Sequence, residues 1–63
     1  MTTTERRLLA KYDMAAAAFH RAPSYETVSK LYEIATKLVD ISDDWQDLVD
    51  MCADELAEYE EAA

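Results

Sequence analysis

The sequence predicts an all-α fold, a small three-helix bundle with helices over about 4–20, 24–40 and 43–60. Three observations carry that expectation. The 63 residues contain no glycine, no asparagine and a single proline, Pro23, so a sheet would lack the residues that hairpin turns usually need at positive φ. Apolar side chains recur at steps of three and four, which places them along one face of a helix. A Ser or Thr able to cap a helix stands before each of the three apolar runs.

In the first segment, Thr2 and Glu5 have the spacing of a capping box, in which each side chain satisfies the other residue's free backbone N–H. Leu8, Tyr12, Ala15, Ala16 and Phe19 then share one face. The run Ala15-Ala16-Ala17-Ala18 keeps that helix slim and lets a neighbour approach closely. Pro23 ends the pattern, because the residue before a proline avoids the α region and proline itself fits only the opening of a helix. Ser24 caps the second helix, whose stripe is Val28, Leu31, Tyr32, Ala35, Leu38 and Val39. Its exposed side offers Glu26 with Lys30 and Glu33 with Lys37, each pair worth about 0.2–0.5 kcal/mol. Ser42 caps the third helix, with Asp43 and Asp44 at the positive end of its dipole. Trp45, Leu48, Val49, Cys52, Leu56 and Tyr59 form its predicted buried face, and the tyrosines at 12, 25, 32 and 59 are assigned mostly to the core. No repeat or linker divides residues 1–63, so a single domain is expected, of a size where folding alone is marginal.

Charge is distributed unevenly along this frame. Residues 1–37 hold six bases and four acids, whereas residues 38–63 hold ten acids and no Lys or Arg, a balance of +2 followed by −10. Asp43, Asp47, Asp50, Asp54, Glu58 and Glu61 are spaced by three or four and form one ridge on the third helix. Like charges at that spacing repel, and the last glutamates lie at the negative end of the dipole, so helix stability does not select the arrangement. Two readings follow. The ridge is a solvated face partly neutralised by Arg6, Arg7, Lys11 and Arg21, or it meets a basic surface on another protein, where complementary potential speeds encounter and sets orientation.

Other chemistries are set aside on the residues present. Calcium loops need alternating oxygen ligands and a glycine at the sharp turn, which Asp40, Asp43, Asp44 and Asp47 do not provide. No metal site and no cofactor are expected. Cys52 is the only cysteine and His20 the only histidine; the first is read as a small buried hydrophobe and the second as a cation near the free carbonyls of a helix end. No Ser/His pairing or phosphate-binding loop can be assembled, so an enzyme is not expected. The helix that would have to enter a DNA groove is the acidic one, which argues against direct nucleic-acid binding, and membrane-surface binding fails on the same charge. The apolar run Leu8-Leu9-Ala10 stops at Lys11, far short of a signal-peptide core or membrane span. The expected location is cytoplasmic.

In size, acidity and predicted helical form, the chain resembles the small antiactivators of conjugative and integrative elements, which bind quorum-sensing transcription activators and silence them. It is also similar in these respects to small phage-encoded inhibitors of host proteins. The resemblance implies an inhibitor or antiactivator acting on a transcription regulator or another nucleic-acid-associated protein. The expected contact residues are Asp43, Asp47, Asp50, Met51, Asp54 and Glu58, with Leu9, Ile34 and Met51 as apolar side chains left at the margins of the core. A small structural or assembly subunit, a homodimer sealed along its apolar margin, is the alternative.

Overall fold

The computed structural model describes residues 2–62, with side chains described for residues 2–61. The chain forms α1 (Thr3–Arg21), α2 (Tyr25–Ile41) and α3 (Gln46–Ala62), with a single 3₁₀ turn at Asp43–Trp45 leading into α3. Among the described residues there is no strand. The three-helix bundle is as predicted, except that the third element is not α-helical from residue 43. Ser42 accepts from the backbone N of Asp44 at 3.3 Å, and the tighter turn that follows carries the chain as far as Trp45 before α-helical geometry begins. Residues 1 and 63 of the predicted domain lie outside the described residues.

Two capping boxes fix the other helix starts. The N–H of Glu5 donates to Thr2 Oγ1 and that of Thr2 to Glu5 Oε1, both at 3.1 Å. At α2 the N–H of Thr27 donates to Ser24 Oγ at 3.2 Å and that of Ser24 to Thr27 Oγ1 at 2.9 Å. Threonine here does the work usually given to Glu or Gln three residues after the cap.

The core belongs mainly to α2. Val28, Leu31, Ala35 and Leu38 are buried from this helix, joined by Leu8 of α1 and Cys52 of α3. Tyr12, Ala15, Ala16, Phe19, Tyr32, Leu48 and Val49 pack half-buried around Leu31, Ala35 and Cys52. Both α1 and α3 lie against α2, and no Cα of α1 comes within 8 Å of one in α3 among the described residues. The molecule is accordingly flat, with extents of 36 × 21 × 12 Å.

Three side-chain contacts join α1 to α3 and to the 3₁₀ turn that leads into it, each between residues 40 apart. Trp45 Nε1 donates to Glu5 Oε2 at 3.0 Å, the Tyr12 hydroxyl meets Cys52 Sγ at 3.7 Å, and the rings of Phe19 and Tyr59 meet edge to face at 6.2 Å. Both partners advance by seven residues at each step, so α1 and α3 run parallel in constant register, and α2 runs antiparallel between them. Heptad spacing of this kind keeps a seam on one side of two neighbouring helices.

The expected pairing of charges is only partly present. Lys37 Nζ lies 3.6 Å from Glu33, the only ion pair among the described residues, so the expected Glu26–Lys30 pair does not form. Tyr25 is exposed, while Leu9 and Ile34 are half-buried. Leu56 and Tyr59 are half-buried as well, because a flat arrangement closes only one side of α3.

Leu38 is fully buried, so Leu38→Ala should cost about 2–5 kcal/mol, and Ser24→Ala about 1 kcal/mol through loss of the cap. Urea unfolding followed by circular dichroism should place Leu38→Ala largely unfolded at 25 °C and Ser24→Ala folded with a lowered midpoint.

Candidate protein-binding face

The helix α3 forms its carboxylate ridge because its opposite side is held down. Trp45, Leu48, Val49, Cys52, Leu56 and Tyr59 turn inward, half-buried or buried. Rotation by about 100° per residue then sends positions 47, 50, 54, 58 and 61 outward. Asp43, Asp47, Asp50, Asp54 and Glu58, all expected at the contact, are exposed, and so is Met51 at 61 %. Asp43 stands apart from the other five, since it belongs to the 3₁₀ turn rather than to the helix. The amide of Gln46 donates to Asp50 Oδ1 at 3.1 Å, a neutral contact one turn away that leaves the carboxylate its charge.

No base reaches the ridge. Arg6, Arg7, Lys11 and Arg21 are exposed on α1, and none is within ion-pair distance of a described carboxylate. Direct pairing of these four with the ridge, part of one of the two readings of the sequence, does not occur among the described residues. The reason is geometric: α1 turns Leu8, Tyr12 and Phe19 inward, which leaves its bases exposed to solvent. His20 is likewise exposed in the last turn of α1, where it stacks edgewise on Phe19 at 5.8 Å and makes no side-chain hydrogen bond to a carbonyl.

A recess opens beside Met51, between α1 and α3. It is lined on one side by Tyr12, Ala16, Phe19 and His20 and on the other by Met51, Cys52 and Glu55, with Val28 and Leu31 of α2 also on its walls. Its volume is about 190 Å³, and an engineered apolar cavity of about 150 Å³ is enough to hold benzene. One apolar side chain of a partner would fit. Sequence reasoning missed Glu55 and His20 as neighbours of the face, since their juxtaposition depends on the parallel register of α1 and α3; the signal available was the seven-residue spacing of Tyr12 with Phe19 and of Cys52 with Tyr59.

The seam beside this recess perturbs three titrations. The Trp45 hydrogen bond, with a second from the Thr2 backbone, holds the Glu5 carboxyl below its ordinary value. Burial, then the contact with Cys52, pushes the Tyr12 phenol up to about 12. Burial also raises the Cys52 thiol, a rise opposed by the hydrogen bond with Tyr12 and reinforced by the charge of Glu55. A thiol kept protonated is a poor nucleophile, in keeping with a packing function for Cys52. Among the described residues, no group of three or more His, Cys, Asp or Glu converges as metal ligands would, and no helix is long and apolar enough to cross a membrane.

No protein-family model, curated protein or solved structure matches this chain.

Tyr12 and Cys52 give the bundle an alkaline limit. Unfolded, their ordinary values are 10.0 and 9.0; folded, both groups keep their protons to higher pH. Their contribution is full below the unfolded values and is lost as pH rises toward about 12. Urea midpoints measured from pH 8 to 11.5 should fall across this window, and Tyr12→Phe should flatten the decline.

Proposed function

We propose that this chain is a small acidic protein-binding regulator, an inhibitor or antiactivator that sequesters a transcription regulator or other nucleic-acid-associated protein through the outer face of α3. The observation that carries the reading is the ridge itself: ordered on a helix, without an ion pair to α1 among the described residues, and interrupted by the exposed side chain of Met51. A basic surface supplies the charge this ridge lacks, and charged helix faces of this kind act mainly on encounter rate and orientation. Met51 and the adjoining recess add an apolar contact, which gives the complex a component that salt does not screen. The contact residues in this reading are Asp47, Asp50, Met51, Asp54 and Glu58, with Asp43 at the edge and Glu55 at the mouth of the recess. The proposed partner is a protein, and the proposed setting is the cytoplasm.

The test has two stages. Affinity capture from the native host with mass spectrometry should retain a basic nucleic-acid-associated protein. Substitution of Asp47, Asp50 and Asp54 by Lys should then abolish capture of that protein, while unfolding midpoints stay level or rise, because each like-charged pair relieved is worth about 0.2–0.5 kcal/mol. Unchanged capture by the triple variant would refute the assignment.

A further inference from the structure

We infer that this protein self-associates head to tail, the outer face of α1 in one copy docking on the acidic ridge of α3 in a second. The two faces match in length and periodicity. Arg7, Ala10, Met14, Ala17 and Arg21 follow one another on α1 at steps of three and four, and all five are exposed. Asp47, Met51, Asp54, Glu58 and Glu61 do the same on α3 and are equally exposed. Each stripe runs over fifteen residues, fourteen rises or about 21 Å of helix. Each also has an exposed methionine, 76 % for Met14 and 61 % for Met51.

Charge complementarity selects a second copy as the occupant. α1 carries four bases against Glu5 and Asp13, a balance of +2, whereas residues 43–62 carry nine acids and no base. Among the described residues no base of α1 lies within ion-pair distance of a ridge carboxylate of the same molecule, so the two faces do not satisfy each other internally. An antiparallel contact between copies sets Arg7 near Glu61 and Arg21 near Asp47, with Met51 against the small side chain of Ala17. It also brings the acid-rich C-terminal end of α3, which opposes its own helix dipole, to the positive N-terminal end of a neighbouring α1.

The net charge of −8 opposes association, and screening decides which effect wins. With a width of 21 Å, the acidic ridges of adjoining copies lie more than two Debye lengths apart at physiological salt, where that length is about 8 Å. The touching α1 and α3 stripes lie within one. At 0.01 M salt the Debye length grows to about 30 Å and whole-molecule repulsion returns, whereas at 1 M it is about 3 Å and the contact itself is screened. Association should therefore peak at intermediate salt. A single helix face is a small interface of the transient class, and a contact between two different faces leaves one of each free, so species beyond the dimer follow.

Sedimentation of the pure protein up to about 1 mM tests this. The wild type should show a weight-average mass that rises with concentration past the dimer, with a maximum near 0.15 M salt. Arg7→Glu with Arg21→Glu should be monomeric, as should Asp47→Lys with Asp50→Lys and Asp54→Lys; an equimolar mixture of the two should associate again. Met14→Glu should weaken association about ten-fold or more. These are exposed positions without ion-pair partners among the described residues, and circular dichroism checks that each variant is helical. A wild type that stays monomeric, an Arg variant that associates like the wild type, or a mixture that stays monomeric would each overturn the inference. Because only pure protein is measured, its failure leaves the proposed regulatory partner untouched, and the converse holds.

Discussion

Val28, Leu31, Ala35 and Leu38 form the one stripe on which the bundle is assembled, since α1 and α3 both lean on it and their backbones do not approach each other. Ala35 matters as much as the larger three. A small buried side chain in α2, in the cluster against which the small Ala15 and Ala16 also pack, lets the outer helices settle close to the middle one. What closes the gap between α1 and α3 is a row of long side chains, Glu5 to Trp45, Tyr12 to Cys52 and Phe19 to Tyr59. That row is thin. It fixes the register of two parallel helices while leaving a recess beside it and both outer faces open.

The helices were legible because each signal was local. Capping residues, the break at Pro23 and the three-four spacing of apolar side chains all act within a few residues of where they stand. The 3₁₀ turn at Asp43–Trp45 was not visible in this way, since Ser42 followed by two aspartates caps either kind of turn. Burial was overestimated on α3 for a reason of shape: periodicity names the inward side of a helix, but the number of neighbours decides how deeply that side is covered. The ridge was legible residue by residue. Whether Arg6, Arg7, Lys11 and Arg21 would neutralise it depended on the rotation of α1 about its axis, which the packing of Leu8, Tyr12 and Phe19 determines.

Glu5 shows how a surface residue can be drawn into the fold. Its carboxylate accepts both from the Thr2 backbone at the start of α1 and from the Trp45 indole at the start of α3. One side chain thus completes a helix cap and sets the first contact of the α1–α3 seam. A sequence reading assigns Glu5 to the cap alone, because the second bond spans 40 residues and no local pattern announces it.

The two proposed uses compete for the ridge, and their relative strength follows from the charges. The docking stripe of α1 carries two bases, Arg7 and Arg21, on a helix that also holds Glu5 and Asp13, so a second copy offers the ridge a diluted positive face. A nucleic-acid-binding surface must neutralise several phosphates at once, which concentrates Lys and Arg on one side. Such a partner would displace α1 from α3 by mass action. Self-association would then hold a reserve with the ridge covered, and the same α1 stripe that covers it would be weak enough to yield. A more basic α1 would seal the ridge against every partner, and an ion pair within one molecule would spend it permanently. The rotation that keeps the bases of α1 away from α3 avoids both outcomes.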